Sequence, residues 1–500
     1  MEKGDGRIKN NLISGVLYQV VLIVMGFVLP RLYLENFGSE INGVLQTIKQ
    51  IFTYMCLLEA GVGLATTQAL YKPVAEEYKN KSSAILAATN SYYIKTGITY
   101  SAIVLLIAFI YSFAVKVNVH SGVLFTIIIL NAIPSLFSYF VCAKYRILME
   151  VDGRKYVITN SETALQLLSN IGKILVLLLT DSLVLIQFVY CVIALAQMAY
   201  LYFYAKRRYK WLNLNEKPDF KAISQKNSVL LHQVSAMVFN NTDIILISIL
   251  CDFKAVSVYT IYNIFFAQVQ SFIVSIVSGF QFALGQMFQT DKEKFNKVFV
   301  TYETLYIMAT FIVYTLMAVF LLPLIGIYTG GINDADYING LLLLLFAVMN
   351  LLANIKLPLN HALEFSGKFQ ETRSHAIWEM VINIAVTVAA IIKWGICGAI
   401  LGTIAALLYR CIVTIHFVNK KVLFRSVIKT YKLWFVNGVL FAAVMVVFFV
   451  DSFIGLSFTE LFIKGLIYAP PIAIIYVAVN FVFCPKAFLG LKGIKKNERS

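Results

Sequence analysis

Lys49 and Glu59 lie ten residues apart inside one apolar run, in the stretch LQTIKQIFTYMCLLEAG at 45–61. On a helix of 3.6 residues per turn, Gln46, Lys49, Gln50 and Thr53 form one polar stripe. Glu59 lies about 80° round the helix from Lys49 and about 15 Å along it, so the two do not pair. A lysine on such a stripe either meets an anion in a cavity or snorkels its ammonium to the headgroups. Glu59 stands beside Gly61 and Gly63, where helices pack closely, and is placed to hold or gate the inner end.

Asp243 sits at a similar depth in a later apolar run and has two readings. It contacts Lys49 and closes one side of a cavity, or it takes up a coupling proton or sodium ion. Arg31 follows Pro30 and offers a forked donor to phosphate, or else anchors the chain at the interface. Lys173 and Lys356 add positive charge to a lumen or pair within the bundle. The expected cavity-lining polar residues are Tyr18, Gln19, Gln46, Gln50, Gln233, Asn240, Tyr262, Asn263 and Gln270. Tyr259, Asn263, Phe266 and Gln270 recur at helical spacing and share one face. Hydrogen bonding between packed helices is the competing account of this polarity.

Other chemistry lacks its motifs. The seven cysteines show no CxxC spacing and read as small hydrophobes. His232 has no neighbours at ligand spacing, so no metal site is expected. Asp334 and Asp336 make a DxD, but in an outer loop, away from cytoplasmic sugar nucleotides. There is no GxxxxGK[ST], hence no built-in ATPase, and no catalytic residue or enzyme activity is expected.

The elements that position these residues follow from composition. Of 500 residues, 59% are hydrophobic and only 14% charged. Mean hydropathy is +0.77. A soluble domain carries about a quarter charged residues, so an all-α polytopic membrane protein is expected. About fourteen spans are expected, at roughly 11–30, 42–66, 91–113, 122–143, 159–180, 183–204, 228–250, 257–285, 301–328, 338–360, 375–392, 398–417, 433–451 and 462–483. The first reads as a retained span, since its apolar run exceeds a signal peptide's and no cleavage site follows. The net charge of +16 does not imply nucleic acid, because the bases cluster between the spans. With a cytoplasmic N-terminus, only Arg31, Lys116, Lys254 and Lys393 fall outside, so both termini are expected inside.

An internal repeat appears at an offset of about 214 residues, as in transporters built from duplicated halves. Gln19-Val20 recurs as Gln233-Val234, TIKQIF at 47–52 as TIYNIF at 260–265, and EVDGR at 150–154 as EFSGK at 364–368. Two six-helix lobes in one orientation are therefore expected, at 1–204 and 228–417. A basic linker at 205–227 joins them, and 418–500 adds two helices and a basic tail.

PRLYLENFGSEINGVLQTIKQIFTYMCLLEAGVG at 30–63, followed by ALYKP at 69–73, resembles the start of bacterial polysaccharide-biosynthesis flippases. These belong to the MOP superfamily, together with multidrug antiporters and the lipid II flippase. The resemblance implies two lobes that rock between inward- and outward-open states in the bacterial cytoplasmic membrane. Its implied substrate is an undecaprenyl-pyrophosphate-linked oligosaccharide, with membrane lipids and other polysaccharide-assembly proteins as partners. It makes Arg31 and Lys49 the expected binders of the anionic group. The alternatives are a cation-coupled drug antiporter, for which span 1 lacks an acid, and a membrane glycosyltransferase or polymerase, for which the loops are too short.

Overall fold

The computed structural model describes residues 2–117, 119–223, 237, 241–368, 370–448, 453–485 and 488. Every regular element among them is helical. Ten helices are long and apolar enough to cross a membrane. Their outward faces carry residues such as Phe109, Phe113, Leu178, Phe435 and Phe462, which only lipid covers comfortably. The chain divides into two compact units, Met1–Met237 and Val238–Ser500.

Unit 1 contains α1 (Glu2–Met55), α2 (Leu57–Ala75), α3 (Lys79–Ala114), α4 (Ser121–Phe137), α5 (Ala143–Val151), α6 (Lys155–Leu179) and α7 (Leu183–Arg208). A 54-residue helix would run about 80 Å, far beyond a bilayer core of about 30 Å. α1 is therefore divided at Gly38, whose φ of 76° suits a residue without Cβ. A loop was expected at 31–41, and this single glycine replaces it. α1 ends at a break on Cys56, inside the expected second span. A π turn at Ser138–Cys142 separates α4 from α5. The expected linker docks on this unit as far as it is described: Asn213 N donates to Ser83 Oγ at 3.2 Å, and Asp219 N to Ala84 O at 3.1 Å.

Unit 2 contains α8 (Asn241–Leu250), α9 (Phe253–Thr290), α10 (Lys292–Tyr328), α11 (Gly340–Ile355), α12 (Leu357–Ser366), α13 (Arg373–Lys421), α14 (Ile428–Val447) and α15 (Phe458–Phe483). Gly395, at φ 54°, folds α13 into a hairpin. The two arms nearly touch, since a Cβ on Gly398 would lie 2.6 Å from Ile391 N and one on Gly402 2.5 Å from Thr387 N. Phe288, Phe295, Phe299, Leu363, Ile415 and Val418 pack α9, α10, α12 and α13 into one core. Buried polar bonds fasten α14 and α15. Arg425 reaches Glu303 at 2.5 Å, and Thr430 donates to Glu303 at 3.0 Å. Thr315 and Tyr476 share a hydrogen bond of 2.8 Å. Asn437 and Asn480 exchange amide hydrogen bonds at 3.0 and 2.8 Å.

The repeated turns behave alike. Gly153 and Gly367 both end their helices at positive φ, 71° and 68°. Arg154 then bonds Asp152 and Tyr204, while Lys368 bonds the Lys421 carbonyl. Asp152 also accepts from the Tyr209 hydroxyl at 2.9 Å, and burial raises that phenol well above its usual range, with the Asp152 charge adding to the effect.

Candidate functional site

In unit 1, the end of α1 presents the expected stripe: Lys49 is exposed, Gln46 half-buried and Gln50 buried. Thr53 bonds back to the Lys49 carbonyl at 3.0 Å. Lys173 projects from α6 and holds its ammonium 4.7 Å from the centre of the Tyr190 ring on α7. Lys49 and Lys173 lie within electrostatic reach of each other. No carboxylate among the described residues pairs with either ammonium, so two like charges share one region. An anion relieves that repulsion.

Arg31 is held elsewhere, in an ion pair with Glu35 at 2.6 Å one turn on. Tyr18 and Gln19 are half-buried on α1. Tyr18 faces an ion pair between Arg146 of α5 and Glu162 of α6. Glu59, in the first turn of α2, also lies within reach of Arg146.

In unit 2, Asp243 is buried on α8. Its Oδ2 accepts from Tyr259 of α9 at 3.1 Å and from Thr403 of α13 at 3.0 Å. Asn383 donates to Thr403 at 2.9 Å. Asp243 Oδ1 and Asn383 Oδ1 are buried with no hydrogen-bond partner among the described residues. Thr387, beside them on the first arm of α13, donates to the Ala399 carbonyl at 3.4 Å. The close hairpin contact at Gly402 brings Asn383, Thr387 and Thr403 together from opposite arms. A buried carboxylate among oxygens that lack donors is costly unless it takes a proton or a small cation.

The expectations for α9 change here, and of its two expected readings Lys356 takes the paired one. Tyr262, expected to line a cavity, is wholly buried: its hydroxyl bonds the Tyr337 and Asn339 carbonyls at 2.8 and 3.2 Å, and its ring stacks on Phe346. Lys356 is not a spare cation. It pairs with Glu379 at 3.2 Å, and Arg410 approaches the same carboxylate at 3.6 Å. Asn263 is half-buried and Gln270 exposed on α9, so the expected face is split, with Tyr259 and Phe266 turned into the core. Gln233 and Asn240, with His232 and Ser235, lie outside the described residues.

No protein-family model matches the chain, and no curated protein matches it. Solved structures do. A lipid II flippase, MurJ, in an inward closed conformation superposes with a TM-score of 0.70 at 11% identity, over 94% of this chain and 98% of that one. An inward-facing multidrug resistance MATE family transporter of the MOP superfamily gives 0.63 at 12% identity, over 82% and 98%. The chain shares the fold of these two transporters. The chain is thus a multi-pass membrane protein whose structural neighbours are transporters and flippases.

The sequence reading missed three participants in these clusters, Arg146, Glu162 and Tyr190. Arg146 fell in an inner loop by charge, Glu162 fell at the edge of a span, and Tyr190 looked like one more aromatic. Glu162 carried a usable signal, since an acid one turn inside an apolar helix needs a partner.

Proposed function

We propose that this protein flips an anionic lipid-linked oligosaccharide across the bacterial cytoplasmic membrane by alternating access, with both termini in the cytoplasm. The observation that carries this reading is Lys49 and Lys173, two ammonium groups within electrostatic reach in one unit that pair with no carboxylate among the described residues. Such a pair suits a pyrophosphate, whose charges it neutralises while the sugars remain hydrated. Asp243, whose Oδ1 has no partner among the described residues, serves as the coupling site for a proton or a sodium ion. Glu59 acts at the inner end as a gating residue. Other membrane proteins of polysaccharide assembly supply and consume the substrate.

A second reading is a cation-coupled multidrug antiporter, which the MATE likeness and the buried Asp243 favour. One experiment separates them. In cells lacking the gene, lipid-linked oligosaccharide is measured on each leaflet. Flippase activity predicts accumulation on the cytoplasmic leaflet. An unchanged distribution, with new sensitivity to cationic drugs, replaces the flippase with the antiporter.

A further inference from the structure

Unit 1 holds a second charged cluster that substrate binding does not use. The Arg146 and Glu162 side chains form an ion pair and are 33% and 28% exposed. Glu59 lies within electrostatic reach of the same guanidinium, and its carboxylate has no hydrogen bond or ion pair to another described residue. One cation therefore answers to two carboxylates. Buried Tyr93 and Tyr139 stand around the surplus charge, both within reach of Glu59.

The backbone divides the three partners among separately jointed pieces. Glu59 is three residues past the break at Cys56, on α2. Arg146 is four residues past the π turn, on α5. Glu162 is on α6, which has no break. α5 packs against both α2 and α6. The π turn is the joint between α4 and α5, and a rotation of α5 about it is the motion that moves the guanidinium between the acids on α2 and α6.

We infer that Arg146 exchanges between Glu162 and Glu59, and that this exchange is a two-position switch setting how α5 packs on α2. The structure stands in the Glu162 position. Each position leaves one carboxylate without its cation, which keeps the two close in free energy. The competing arrangement is a fixed bridge in which the fork holds both acids at once.

Cys56 reports on the switch, because it is exposed and adjoins Glu59 in sequence and in charge. The test uses the full chain in membrane vesicles, with the other six cysteines replaced. The rate of Cys56 alkylation by a permeant maleimide is measured. Glu162→Gln sends Arg146 to Glu59 and changes the rate by about threefold or more. The change disappears when Glu59→Gln is added and the double variant is compared with Glu59→Gln alone, since Arg146 then has no second seat. A change that persists in the double variant, or no change from Glu162→Gln, overturns the proposal. Should the glutamine variant not fold, Glu162→Asp, which keeps the charge and shortens the reach, takes its place, and the same two outcomes support or overturn the switch.

Discussion

Tyr262 is polar, sits beside Asn263 and matches Lys49 in the repeat, yet its hydroxyl is committed to the loop at 337–339. That loop lies some 75 residues away, and nothing local in TIYNIF announces it. Tyr262→Phe is expected to lower stability by about 1–3 kcal/mol, because the buried Tyr337 carbonyl loses its donor and the Asn339 N–H its acceptor. Thermal unfolding of the purified protein in detergent micelles measures this. Lys356 shows the same separation of residue type from residue role. Its depth was legible, but Glu379 reaches it from α13, and only the fold brings that carboxylate within 3.2 Å of Lys356 and 3.6 Å of Arg410. Lys49, by contrast, was legible because a polar stripe is a property of one helix.

Among the elements, apolar runs were readable because each span is written in about 20 consecutive residues. How the runs connect was not. Loops were expected where the chain turns at Gly38 and Gly395, since a glycine at positive φ redirects the backbone within one residue. Breaks within spans were equally hidden: nothing apolar is lost at Cys56 or at Ser138–Cys142. The α13 hairpin makes the strongest demand on sequence. Gly402→Ala places a methyl group on Thr387, and is expected to cost about 3 kcal/mol or more. Gly438→Ala meets no atom within 4 Å, and is expected to be neutral or to stabilise α14 by up to about 1 kcal/mol. Unfolding midpoints of the two variants against wild type decide this; equal effects would deny the close packing.

Over the whole molecule, duplication has not kept the halves chemically equal. Unit 1 carries two ammonium groups in want of an anion, and unit 2 a carboxylate in want of a cation. The expected division of labour follows. Lys49→Gln with Lys173→Gln weakens binding of a lipid-linked oligosaccharide by about tenfold or more, equivalent to about 1.4 kcal/mol. Asp243→Asn leaves that affinity within about twofold and removes the dependence of transport on an ion gradient. Ligand titration of the solubilised protein, paired with transport in proteoliposomes, reads both. The two-unit plan was legible from three short repeats. The inequality was only half legible, because Lys49 sits opposite Tyr262 in those repeats while Lys173 and Thr403 sit in stretches with no visible likeness. The reciprocal amides of Asn437 and Asn480 carry a consequence for biogenesis. α14 is synthesised before α15, so until α15 follows, the Asn437 amide has only the Leu433 carbonyl of its own helix to bond. The two amides satisfy each other only once α15 has followed α14 into the bilayer, which ties the seating of one helix to the arrival of the other.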